Sequence, residues 1–426
     1  MKKIHLIPLF LLLLLYNCKK EKKSNTKTTV LIGTVIDRKA SKHLSLIEKT
    51  GDYRVNAKKI PIKNGKFIYT IKSNFIQEYQ MAFNDELEKG YWMAVRFFND
   101  KDTINFTLYQ PEKYNDNIIL GGTLNKRRKE YISEQTSLFY SKINTINLTK
   151  VDSLSKINQW NSKQVSELYN ILSKEKDFNK RNDLYKKIND LRVKKEDLTP
   201  QARFWQDKID SIIKDYQNWN DNFIITDNTL LGFSLLVDQL YSNTYEKNFN
   251  FLTLEKKLKN YQSKFKKHPY NQLSKNLLNG IKNAKKGGYY SDFESRTADN
   301  KQIKASSIVT KNKLTLIDLW APWCGPCIAK SKKLKPEYLK LHKKGLEVFA
   351  VIGGINKKEK YTEAKNKYQY PWKINYEINN EFNIWDKYNI SRSGGSQFLV
   401  NKKGKILAVN PEPKVIDSIL NTIQKP

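Results

Sequence analysis

A chain of 426 residues exceeds what one ordinary hydrophobic core serves, so two or three domains are expected. With 39% hydrophobic residues, 8 Trp, 24 Tyr and 19 Phe, wholesale disorder is excluded. A net charge of +34 points first to nucleic acid or a membrane surface, but lysines scattered through every segment lack the guanidinium fork that reads base edges, so no nucleic-acid partner is expected.

Lys2 and Lys3 precede a leucine-rich run over 4–16. As a helix that run rises about 20 Å, short of the ~30 Å bilayer core, so 1–17 reads as a signal peptide and not a span. Leu15-Tyr16-Asn17-Cys18 resembles a bacterial lipobox, which implies lipidation of Cys18 and a mature chain that begins there. Residues 18–28 are then a polar tether, and a plain secretory signal with an incidental cysteine is the alternative. With Cys18 lipidated, Cys324 and Cys327 remain as one pair, an arrangement suited to an oxidising compartment. The histidines (His5, His43, His268, His342) lack ligand spacing, and neither a metal nor a cofactor is expected.

Residues 29–125 read as β. Short β-branched and aromatic runs recur at 29–36, 44–48, 65–71, 80–83, 92–97, 103–108 and 117–120, with Asn64-Gly65 as a turn signal. No catalytic constellation stands there. Residues 126–286 read as helices. Trp205, Ile209, Ile212, Ile213, Tyr216 and Trp219 form one stripe, with Thr199-Pro200 as an N-cap and first-turn proline. The stripe is expected to be core, not a ligand groove, and the segment to be a spacer that holds its neighbours apart. From 287 to 426 the expected order is strand (314–320), helix from about 324, strand (346–352), helix (357–368), strand (398–400), strand (406–409) and helix (415–423). CxxC beside a βαβ pattern is a redox signature.

Trp320-Ala321-Pro322-Trp323-Cys324-Gly325-Pro326-Cys327 is similar to the active site of the thioredoxin superfamily. With Asp292-Phe293 upstream and Lys344-Gly345-Leu346-Glu347-Val348 downstream, the frame resembles its TlpA/ResA-like extracytoplasmic branch. Ile62-Lys63-Asn64-Gly65-Lys66-Phe67 and Gly121-Gly122-Thr123-Leu124-Asn125 resemble the β-sandwich domain that precedes thioredoxin domains in Bacteroidetes-type lipoproteins. The resemblance implies a multidomain chain: an N-terminal β-sandwich-like domain, a central α-helical segment and a C-terminal α/β thioredoxin fold.

It also implies roles. Cys324, at a helix N-terminus that favours thiolate, is the expected nucleophile, and Cys327 the resolving thiol, the two forming the redox disulfide. Trp320, Trp323, Gly325 and Pro326 frame them, Pro326 suiting a first turn and Gly325 allowing close approach. Asp318, flanked by Ile317 and Leu319, matches the family's buried acid; burial would raise its pKa and suit it to accept a proton from Cys327. The lysines of the same helix, Lys330, Lys332, Lys333 and Lys335, are expected mostly to face water. Gly395 stands where the family has a cis-proline, so the substrate-facing loop is Gly394, Gly395 and Ser396; a glycine there can adopt unusual dihedrals but pre-organises nothing. Lys332 holds the place of the family's kinking proline, so a kink is expected near Pro336. The implied function is a membrane-tethered thiol:disulfide oxidoreductase, by its Gly-Pro a reductase, lipid-anchored in the cell envelope and facing the periplasm. Its partners would be protein disulfide substrates and a membrane electron donor. The alternatives are a non-catalytic envelope binding lipoprotein on a thioredoxin scaffold, or a thiol peroxidase, which would need a threonine where Pro322 or Trp323 stands.

Overall fold

The structure, a computed structural model, describes residues 26–242, 251–390 and 394–424. The expected signal segment, Cys18 and most of the tether lie outside them. Among the described residues no helix is long and apolar enough to cross a membrane.

The first part is a two-sheet sandwich. Strands β1 (Lys27–Val35), β2 (His43–Glu48), β3 (Lys58–Pro61), β4 (Lys66–Ser73), β5 (Glu78–Phe83), β6 (Val95–Phe98), β7 (Thr103–Leu108) and β8 (Ile118–Leu120) form sheets of order β4-β1-β7-β8 and β3-β2-β5-β6. Period-two alternation sends Leu31, Phe67, Ile104 and Phe106 of one sheet against Leu44, Met81, Phe83 and Phe97 of the other. The sequence reading missed β3. Two lysines and Pro61 around a single buried Ile60 hide it, a composition tolerated because β3 is an edge strand.

Helices follow. Thr199 caps Pro200–Thr226 by accepting from the Ala202 N–H (3.2 Å), with Pro200 in the first turn as expected. Its aromatic stripe packs on the preceding helical run, where Trp219 stacks on Tyr131 (5.0 Å) and Tyr216 meets Phe139 edge-on (5.7 Å), but of its six residues only Ile209 is buried and Ile213 is exposed.

The helical segment does not hold its neighbours apart. Tyr270, at the start of Tyr270–Asn283, accepts at its phenol oxygen from the Glu78 N–H of the sandwich (3.0 Å). Ten residues on, Gly280 presses against the backbone of Tyr388 and Asn389 in the C-terminal part. Leu240 O of Leu230–Ser242 accepts from Asn389 Nδ2 (3.2 Å). The sandwich itself touches the C-terminal part: Asn56 Nδ2 donates to Asn379 Oδ1, and Asn356 Nδ2 to Val55 O, both at 3.3 Å. Reading a spacer from helical periodicity fails because periodicity marks buried faces without saying what covers them.

The C-terminal part is built on β9 (Glu294–Arg296), β10 (Gln302–Lys304), β11 (Leu314–Trp320), β12 (Leu346–Ile355), β13 (Ile374–Ile378), β14 (Ser396–Asn401) and β15 (Ile406–Val409), in the order β10-β9-β13-β12-β11-β14-β15. β11 runs parallel to β12 and antiparallel to β14, with helices on both faces, a thioredoxin-like fold. The expected order omitted β13 and the β9–β10 hairpin. β13 reads Ile-Asn-Tyr-Glu-Ile, an alternation that suggests a half-exposed strand, yet Asn375 and Glu377 are buried with the rest. The cysteine helix ends at Leu334 and a separate helix begins at Tyr338, so the chain breaks at Pro336, as the displaced proline suggested.

Gly280 supplies a test of the docking. A Cβ there would fall 2.5 Å from Asn389 N and 2.8 Å from the Tyr388 carbonyl carbon. Gly280→Ala is expected to cost about 1–3 kcal/mol in urea unfolding and to increase proteolysis between the helices and the C-terminal part. An unchanged midpoint and cleavage pattern would refute the contact.

Candidate active site

Every residue of β11 is buried. Leu314, Leu316 and Trp320 belong to the core under the cysteine helix, while Ile317 and Leu319 pack into the opposite core with Phe293 and Trp385. Asp318 therefore points to the face that carries Gly325–Leu334. Its carboxylate accepts from the Ser331 hydroxyl at Oδ2 (2.8 Å) and from Gln397 Nε2 at Oδ1 (3.1 Å). Burial pushes the Asp318 carboxyl up to about 6, the two hydrogen bonds and Lys330 only partly opposing it. Ser331 also contacts the Cys327 carbonyl oxygen (3.3 Å), which ties the acid to the cysteine turn.

Cys324 is the N-cap of its helix and Pro326 lies in the first turn. Cys324 and Cys327 form a disulfide with Cα atoms 5.3 Å apart. Both are almost wholly buried. Helix-terminal N–H groups at Cys324 favour a thiolate there after reduction. Gly325 is not forced by close contact: a Cβ would meet no atom within 4 Å. Trp320 is fully buried, edge-on to Tyr368 (5.6 Å) and Tyr370 (5.9 Å). Lys330 is half-buried, burial lowering its pKa while Asp318 opposes this, whereas Lys332 is exposed and Lys333 and Lys335 hold Glu412 and the Tyr368 carbonyl.

At Gly395 the facing loop lies against the cysteine turn. Gly395 is not among the residues with positive φ. Instead, a Cβ on it would overlap Leu319 O and come within 3.0 Å of Cys327 Sγ, so the position has no room for a side chain. The Gly394 carbonyl accepts from Trp385 Nε1 (2.9 Å), and Ser396, opposite Leu319 in the ladder, reaches Asn410 (3.4 Å).

The sequence reading did not find three further residues. Ser331 lies four residues after Cys327, a spacing that puts both on one helix face. Gln397 stands directly opposite Asp318, which only the strand register reveals. Arg54 comes from the loop between β2 and β3, in the sandwich, and its guanidinium lies 3.6 Å over the Trp323 ring. Asp52 fixes it by two bonds of 3.0 Å. No local signal could have placed Arg54 there. Among the described residues no group of His, Cys, Asp and Glu side chains is gathered for a metal.

Residues 287–409 match the AhpC/TSA family. Similar solved structures include a thiol:disulfide interchange protein from Bacteroides sp., 17% identical over 33% of this chain and 93% of its own, with a TM-score of 0.29. A putative thiol:disulfide interchange protein DsbE from Chlorobium tepidum is 21% identical over 32% of this chain and 94% of its own, with a TM-score of 0.27. A thioredoxin-like protein from Bacteroides caccae covers 52% of this chain and 83% of its own at 15% identity, with a TM-score of 0.32. No curated protein matches the chain.

Two variants test the geometry. The folded pKa of Asp318, about 6, lies above the ordinary carboxyl value, so its contribution to stability is full below about pH 4 and is lost as pH rises through the folded value. Asp318→Asn is expected to raise unfolding stability at pH 8 by about 2–3 kcal/mol, with little gain at pH 4; an equal effect at both pH values would refute a desolvated carboxyl. Gly395→Ala is expected to cost about 1–3 kcal/mol and to increase alkylation of reduced Cys327, because the loop must lift from its sulfur. Unchanged stability and reactivity would show that the loop yields freely.

Proposed function

We propose that this chain is a thiol:disulfide oxidoreductase working as a reductase on protein disulfides. The observation that carries the reading is the Cys324–Cys327 pair at the start of a helix whose first turns are tied, through Ser331, to the buried Asp318 carboxyl. In the reduced protein the Cys324 thiolate attacks one sulfur of a substrate disulfide; a mixed disulfide forms and the first substrate thiolate leaves. Cys327 gives its proton to Asp318 and attacks Cys324 Sγ, which releases the second substrate thiolate and closes the Cys324–Cys327 bond. Two electrons pass to the substrate, and a membrane dithiol donor returns them. A carboxyl with a pKa near 6 is ionised at neutral pH and stays a competent proton acceptor.

Several features give the site its specificity. Trp320 and Trp323 wall the cysteine turn, while Gly394, Gly395 and Ser396 lie across from it and receive the extended substrate backbone. Cys18 carries the lipid and 18–28 the tether, which holds the enzyme at the cell envelope, facing the periplasm. We divide the chain into the β-rich domain over 29–125, the helical segment over 126–286 and the redox domain over 287–426. A peroxidase reading draws on the AhpC/TSA match, but none of the four residues before Cys324, Trp320 to Trp323, is the threonine it needs.

Trapping decides between exchange and its alternatives. Cys327→Ser is expected to accumulate mixed disulfides on Cys324, and Cys324→Ser to abolish insulin reduction while leaving the fold intact. A reductase should show a potential near −270 mV, against about −120 mV for an oxidase. An intact fold that traps nothing and reduces nothing would eliminate the proposal, and hydroperoxide turnover without disulfide exchange would replace it with a peroxidase.

A further inference from the structure

Far from the cysteines, a buried charge cluster joins the sandwich to the helices. The fully buried Glu78 carboxylate is met by Arg96, Lys49 (3.5 Å), Arg128 (3.6 Å) and the Ser234 hydroxyl. Asp238 takes Lys49 and Arg96, each at 2.6 Å. Three cations thus share two carboxylates, and nearby Glu86 is already engaged by Arg38 (2.7 Å). Lys49 and Arg96 satisfy both acids at hydrogen-bond distance. Arg128 stands apart from them. Its side chain is 12% exposed, its nearest carboxylate oxygen lies beyond hydrogen-bond reach, and it donates no hydrogen bond among the described residues. A guanidinium has five N–H donors in a planar fork, and those of Arg128 that make no bond are not sealed in the interior, so they are open to a ligand.

Arg128 lines a pocket of about 190 Å³ enclosed by β6, β8, the loop before β8 and the helix Thr123–Gln135. Lys129 adds positive charge to its wall, Arg96 lines it while paired with Glu78 and Asp238, no carboxylate lines it, and Val95, Ile119 and Ile132 supply an apolar side. The volume equals about six waters, room for a compact molecule of about eight to ten non-hydrogen atoms. A fork of N–H donors beside an aliphatic wall fits a planar anion carrying an apolar body better than it fits an inorganic anion.

We propose that this pocket between the sandwich and the first helix binds a small amphipathic carboxylate, its carboxylate held by Arg128 and its apolar body by Val95, Ile119 and Ile132. The site is independent of the redox reading, since none of its residues reaches the cysteines.

The test uses the full chain with benzoate and hexanoate as probes and inorganic phosphate as comparison. Saturation-transfer NMR and thermal-shift titration are expected to give a Kd of about 1 mM or tighter for at least one carboxylate, with phosphate weaker. Arg128→Gln is expected to weaken binding at least about tenfold while leaving the Tm of the unliganded protein unchanged or higher, because it removes the unmatched charge and keeps a polar side chain. Ile119→Asn should weaken hexanoate more than acetate. The proposal is overturned by no binding up to about 10 mM, by phosphate binding as well as the carboxylates, or by Arg128→Gln lowering the Tm without changing affinity, which would make Arg128 a structural partner of Glu78.

Discussion

The C-terminal part depends on one costly placement, a carboxyl in the middle of a strand whose every residue is buried. Asp318 cannot be hydrated, and two neutral donors, Ser331 and Gln397, are what it receives instead. Neutral donors compensate an ionised carboxylate less than a paired cation would, which is why its pKa settles near 6 and not below the ordinary range. The same bonds fix geometry. Ser331 belongs to the cysteine helix and Gln397 to the strand after the facing loop, so one side chain holds both walls of the site in register with β11.

The second buried charge site obeys a different rule. Glu78 is surrounded by cations and held well below the usual carboxylate range, so its ionisation favours folding where that of Asp318 opposes it. Truncating either acid therefore acts in opposite directions. Removal of Glu78 would leave Arg128 without a carboxylate and Lys49 and Arg96 sharing Asp238 alone, a loss of about 3–5 kcal/mol. A cation-rich cluster settles its acid at a depressed pKa, whereas a carboxyl held only by neutral donors keeps a raised one at a cost in stability.

How much of this was legible follows from which contacts are local. The Cys-Gly-Pro-Cys turn, the strand before it and the acid six residues upstream lie in one continuous stretch, whereas the face that Asp318 takes emerges only from the packing of its neighbours. Seven of the eight sandwich strands show themselves as short β-branched and aromatic runs; β3 does not, because an edge strand with one buried residue has almost no pattern to show. β13 was hidden for the converse reason, two polar residues buried in a sheet interior. Gln397 depends on register, and Arg54 on a contact between residues 269 positions apart. The reason for Gly395 was also out of reach, since sequence records that a glycine is present and not which neighbour crowds it.

Arg54 changes what the β domain is. A sandwich on a spacer would leave the redox site open on all sides, and any exposed disulfide could approach. Here the loop between β2 and β3 reaches the cysteine turn, its arginine pinned by Asp52 and laid flat on Trp323. Such a stack contributes about 0.5–2 kcal/mol, enough to fix the ring but not to hold two domains together alone. The docking is carried instead by the helical layer, where Tyr270 and Gly280 of one helix contact the sandwich and the redox domain respectively. The helices thus set the distance at which Arg54 meets Trp323. Next to Cys324, the Trp323 ring is covered by a residue of the sandwich. The β2–β3 loop can then vary around Trp323 while β11, Asp318 and the cysteine helix stay as they are.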